Sequence, residues 1–105
     1  MVTRTLSMQI SENLSTLSSR ISFALSARTP PKTSHCDLLA VSKTKPVSDL
    51  LDAYTAGQRH FGENYVDEFV DKVPQLPFPD LHWHFIGHIQ TNKIRKLLSV
   101  VQPGL

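Results

Sequence analysis

Strand-like runs and helical stripes alternate along this chain, and that alternation restricts the fold more than any other feature. Residues 38–42 begin as a continuous apolar run, Leu38-Leu39-Ala40-Val41, and give way to a turn signal, as a buried strand does. Residues 58–62 are short, contain Phe61 and end at Gly62, and residues 81–87 are rich in aromatics and break at Gly87, so both are read as strands. Each run is followed by apolar residues at helical spacing: Val47, Leu50, Leu51 and Tyr54; Val66, Phe69, Val70 and Val73; Ile94, Leu97 and Leu98. Strand and helix repeated three times imply a parallel sheet with right-handed crossovers. Three such units leave two unpaired edges and one poorly covered face, so the chain is expected to be part of a larger fold.

Turn chemistry marks the element ends. A first helix is predicted over residues 11–27, with Ile10, Leu14, Leu17, Ile21 and Leu25 toward the core, and Thr29, Pro30, Pro31 and Lys32 ending it. Gly57 stands where the second helix stops, Pro74 is expected to close the third, and Pro103 and Gly104 finish the chain. The three prolines of residues 74–80 make that segment a loop.

Composition narrows the function classes. The 105 residues have room for one domain, and 40% hydrophobic content suits a folded core. A net charge of +2 without a Lys/Arg run gives no footprint for nucleic acid. No apolar run approaches the roughly 20 residues that span a bilayer. Cys36 is the single cysteine, which excludes an intrachain disulfide and suits a reducing compartment, so the expected location is cytoplasmic. In the first thirty residues, Arg4, Arg20 and Arg28 among many Ser and Thr, with Glu12 the only acid there, also fit a mitochondrial transit segment, the minority alternative.

The strand tips carry the polar residues that a ligand could use, because α/β folds place their chemistry at the C-terminal ends of parallel strands. Lys43 follows the first strand, and a lysine partly desolvated at the mouth of a core becomes an amine nucleophile toward an aldehyde. Lys45, two residues on, would favour the unprotonated amine if the two ammonium groups lay close. Against this stands the blander reading of a solvated loop lysine. Gly62-Glu63-Asn64 follows the second strand, where Asn64 can donate and accept hydrogen bonds, though such a sequence is most often only a turn. On the third strand, alternation sends His82 and His84 to one side and Trp83 and Phe85 to the other. Two histidines could begin a metal site, but no further ligands stand at a recognisable spacing, so no metal is expected. Gln90, Thr91 and Asn92 either face a ligand or cap the last helix. No phosphate-binding loop, dinucleotide fingerprint or hydrolase elbow is present.

Taken together, residues 39–46 (Leu-Ala-Val-Ser-Lys-Thr-Lys-Pro), 61–66 (Phe-Gly-Glu-Asn-Tyr-Val) and 83–88 (Trp-His-Phe-Ile-Gly-His) closely resemble the N-terminal part of the pyridoxal phosphate homeostasis protein family. The similarity runs from the first helix to about Leu98. It implies an α/β fold of alanine racemase-like type, an incomplete (β/α) TIM-type barrel with an N-terminal helix and about three βα units. The whole chain, 1–105, would be a single domain, with residues 1–10 disordered. The resemblance further implies pyridoxal 5′-phosphate held as a Schiff base on Lys43, with Asn64 near the cofactor ring. Family members look like carriers that bind, buffer and deliver the cofactor inside cells, with apoenzymes as possible recipients and without a known catalysed reaction.

Two departures from the family pattern stand out. Asp67 replaces a usual glutamine, expected to be a helix-surface change of little effect, and the chain ends at Leu105, before the glycine-rich helix start that holds the phosphate in the family. Helix N-termini supply much of the orientation in such sites. Two other readings therefore stand beside the carrier: a fragment that binds no cofactor, and a racemase or decarboxylase, for which no acid/base partner opposite Lys43 is identifiable.

Overall fold

The computed structural model describes residues 6–27 and 36–100. In chain order the elements are α1 (Leu6–Ser26), β1 (Ala40–Val41), α2 (Val47–Thr55), β2 (His60–Glu63), α3 (Val66–Lys72), β3 (His82–Phe85) and α4 (Ile94–Leu98), with 3-10 turns at Val73–Gln75 and Thr91–Lys93. The strands form one parallel sheet in the order β1-β2-β3, with Ala40 opposite Phe61 and Phe61 opposite Trp83. This is the predicted α/β arrangement of three βα units, the build of a piece of a (β/α) barrel.

Alternation along the strands sorts the residues into two faces. Phe61 and Trp83 point toward the helices, where Leu50, Ala53, Phe61 and Leu76 form the buried core, with Ile10, Leu14, Ala40 and Trp83 packed against it. Phe69 of α3 meets Trp83 and Phe85 edge-on, with ring centroids 5.8 and 6.1 Å apart, an arrangement that suits aromatic quadrupoles. His60, Gly62, His82 and His84 lie on the opposite face, which the described residues leave open: Val41 is 50% exposed and Ile86 46%.

Local chemistry accounts for the helix ends. Pro46, already at φ −70°, precedes α2, and Asp49 in its first turn complements the helix dipole. At the other end Gly57, at φ +108°, donates to the Tyr54 carbonyl (3.0 Å) while Gln58 donates to that of Ala53 (2.9 Å), a Schellman closure that satisfies the orphan carbonyls.

Several boundaries differ from expectation. Helix α1 starts at Leu6, so residues 6–10 are helical although 1–10 were expected to be disordered; residues 1–5 lie outside the described residues. Of its stripe, Ile10 and Leu14 pack against the core and Ile21 and Leu25 are half-buried, whereas Leu17 is exposed. The proline stop after α1 and the final Pro103 and Gly104 lie outside the described residues. Pro74 does not stop the chain's winding after α3; its fixed φ suits the 3-10 turn that follows. No described helix is long and apolar enough to cross a membrane.

Candidate functional site

The ladder between β1 and β2 runs one residue past β1, through Ser42 N–H to the Gly62 carbonyl at 2.9 Å. Lys45 N–H then donates to the Ser42 carbonyl (3.1 Å), closing a four-residue turn with Lys43 and Thr44 at its centre. Thr44 sits at φ +65°, a left-handed conformation that costs a non-glycine residue about 1–3 kcal/mol. Lys43 is exposed, and no hydrogen bond or ion pair joins its ammonium to the described residues. The described residues therefore do not provide the partial desolvation anticipated for it, since they leave the face of the sheet beside it open.

Behind this turn lies a cluster that sequence reasoning missed. Glu63, at 0% exposure, and Lys72, at 4%, are buried on the helix side of the sheet with Ser42. Lys72 Nζ donates to the Ser42 carbonyl (2.7 Å), to Glu68 Oε1 (2.5 Å) and to Glu63 Oε2 (3.3 Å). Ser42 Oγ donates to the same Glu63 Oε2 at 2.6 Å. Glu63 Oε1 lies 2.9 Å from the ammonium as an ion pair but outside hydrogen-bonding geometry, so it is a buried oxygen with a charge contact and no hydrogen bond. Glu68 Oε1 also accepts the N–H of Thr44. Both residues flanking Lys43 are thus tied to side chains of β2 and α3.

Asn64 leaves β2 one residue past Glu63, and the β1–β2 register sets it level with Lys43. Gly87 lies against it so closely that a Cβ there would overlap both the side-chain oxygen and the backbone carbonyl of Asn64, so only glycine fits. A cleft of about 400 Å³ opens between Asn64, Tyr65 and Val66 on one side and His88, Gln90 and Lys93 on the other. Lys43 does not line it. Gln90 precedes the Thr91–Lys93 turn without a side-chain capping bond.

Asp67 does more than occupy the helix surface. Its carboxylate binds Lys96 at 2.6 Å and lies 3.8 Å from Lys93, tying α3 to the turn and helix that follow β3. The hydrogen bond from Lys96, followed by the charge of Lys93, holds its carboxyl below the usual carboxylate range. On the open face, His82 and His84 share a side as predicted, and His60 joins them. His60 Nδ1 is 3.1 Å from His84 Nε2, and its ring stacks on His82 at 4.7 Å. Among the described residues no group of three or more His, Cys, Asp or Glu is placed to hold a metal ion.

No protein-family model matches the chain. It is 57% identical to the pyridoxal phosphate homeostasis protein of Schizosaccharomyces pombe over 63 residues, 60% of this chain and 26% of that one. With the protein of the same name from Pasteurella multocida it shares 48% over 91 residues, 84% of this chain and 38% of that one. This chain is a partial relative of the pyridoxal phosphate homeostasis proteins. Solved structures of PipY from Synechococcus elongatus, without and with PLP bound, superpose at TM-scores of 0.68 and 0.66 and 41% and 40% identity. They cover 86% of this chain and 37% and 38% of PipY. The chain thus spans less than two-fifths of the length of each of these relatives.

Proposed function

We propose that this chain binds pyridoxal 5′-phosphate as a carrier, with Lys43 as the anchoring amine and Asn64 beside the ring, within one portion of a cofactor-binding (β/α) barrel. The observation that carries the reading is the turn of residues 42–45: a rigidly tied loop at the tip of a parallel strand offers an exposed lysine whose ammonium has no partner among the described residues. The name shared by the relatives and the PLP-bound PipY structure support the choice of cofactor.

The residues present fit the carbonyl end of that cofactor. Pyridoxal phosphate supplies an aldehyde, which condenses with a primary amine to a Schiff base with loss of water. Lys43 offers the amine once it gives up a proton to solvent, and Asn64, held by Gly87, offers a fixed amide at the same level of the sheet. For the phosphate the fit is poorer: Gly57 follows a helix, Gly62 lies inside β2 and Gly87 follows β3, so none of the described glycines opens a helix. Capture at Lys43 is therefore expected to be reversible and weak. The relatives' shared name supports a carrier role, for which we infer apoenzymes as recipients, and the single cysteine is in keeping with the cytoplasm.

Gel filtration of the chain after mixing with pyridoxal phosphate and borohydride tests this. One fixed cofactor per chain, abolished by Lys43→Ala, is the expected result. A second reading, a chain that holds no cofactor, is favoured by the open sheet face with Val41 and Ile86 exposed. Absence of fixed cofactor from the unaltered chain would decide for it.

A further inference from the structure

The cluster of Glu63, Glu68 and Lys72 is an unusual use of buried charge. The Glu63 carboxylate and the Lys72 ammonium are enclosed between β2 and α3, with Glu68 part-buried at their edge, and a buried ion pair stabilises a fold no better than well-packed apolar residues would. What such residues would not supply is direction. Lys72 donates to the carbonyl of Ser42, Glu68 accepts the N–H of Thr44, and Glu63 accepts the hydroxyl of Ser42, so the cluster grips the chain on both sides of Lys43 and leaves its ammonium without a partner among the described residues. Thr44, β-branched and at φ +65°, would not hold that conformation unaided.

We propose that Lys72, Glu63 and Glu68 are positioning residues for Lys43, fixing the turn so that its amine projects from the strand tip in one orientation. This rests on Lys43 being the anchoring amine. Lys72 is the hub, since its three N–H groups join β1, β2 and α3 at one point. Glu68 is the outermost member, with its side chain 22% exposed, and can be altered while the Glu63–Lys72 pair stays in place.

Glu68→Ala and Glu68→Gln are compared with the unaltered chain in two measurements. The first is the exchange rate of the Thr44 amide by NMR, with the Phe61 amide in the sheet as the control for folding. The second is the share of borohydride-fixed pyridoxal phosphate carried by Lys43 relative to Lys45 and Lys93. Loss of a hydrogen bond to a charged acceptor predicts that Glu68→Ala speeds Thr44 exchange and lowers the Lys43 share by about tenfold each. Glu68→Gln keeps an acceptor for Thr44 N–H and should stay within about threefold of the unaltered chain. A Lys43 share unmoved by Glu68→Ala, in a chain that does label at Lys43, overturns the positioning role alone. No preference for Lys43 in the unaltered chain overturns the anchoring reading, and the positioning role with it.

Discussion

Residue by residue, the least replaceable side chain is Lys72. Exchanging it for methionine keeps the stem and removes the charge, so Glu63 would be left buried with only Ser42 for a partner. Breaking a buried pair in this way costs about 3–5 kcal/mol, more than apolar packing of the methionine returns. A urea titration of Lys72→Met should therefore show the folded baseline shortened or missing, while the double variant Lys72→Met, Glu63→Leu recovers part of the loss. The signals for this cluster were present in the sequence. Lys72 follows Phe69 by three positions and so falls on the buried stripe of α3, and Glu63 follows Phe61 by two and so shares its face. Reading Gly62-Glu63-Asn64 as a turn hid the second signal, because β2 in fact continues through Glu63.

Between elements, the tie from α3 to α4 is largely electrostatic. Asp67 is the acceptor for Lys96 and the neighbour of Lys93, and its folded-state pKa is lowered by that hydrogen bond first and that charge second. A carboxylate whose pKa is lower folded than unfolded adds stability above its unfolded value, near 3.8, and loses it as the pH falls through the folded one. The difference in melting temperature between the unaltered chain and Asp67→Asn should thus be present near neutrality, shrink once the pH drops under 3.8, and be reduced by salt, the last because the pair is exposed. The order of the elements was legible throughout, since helical and strand periods alternate cleanly. Ends were legible where local chemistry fixes them, as at Gly57, and not where tertiary packing does, as at the start of α1 or the winding through Pro74. The bond from Asp67 to Lys96 spans 29 positions, a distance at which sequence spacing carries no information.

At the scale of the molecule, the described residues pack one face of the sheet far better than the other. Phe61 is buried under α2 while Val41 and Ile86 stay half in water, so among the described residues apolar burial is collected mainly on one side. The isolated chain should therefore unfold at low denaturant over a broad range and bind hydrophobic dyes before it does; a steep transition at a high midpoint would contradict this. The same one-sidedness explains why Lys43 is solvated, and it makes the tied turn, not burial, the basis on which this chain can favour one lysine. The most direct measurement of that claim is peptide mapping after reduction of the chain with pyridoxal phosphate near stoichiometry. The account predicts the added mass on Lys43 and its disappearance in Lys43→Ala. Mass scattered over Lys32, Lys45 and Lys93, and unchanged in that variant, would contradict it.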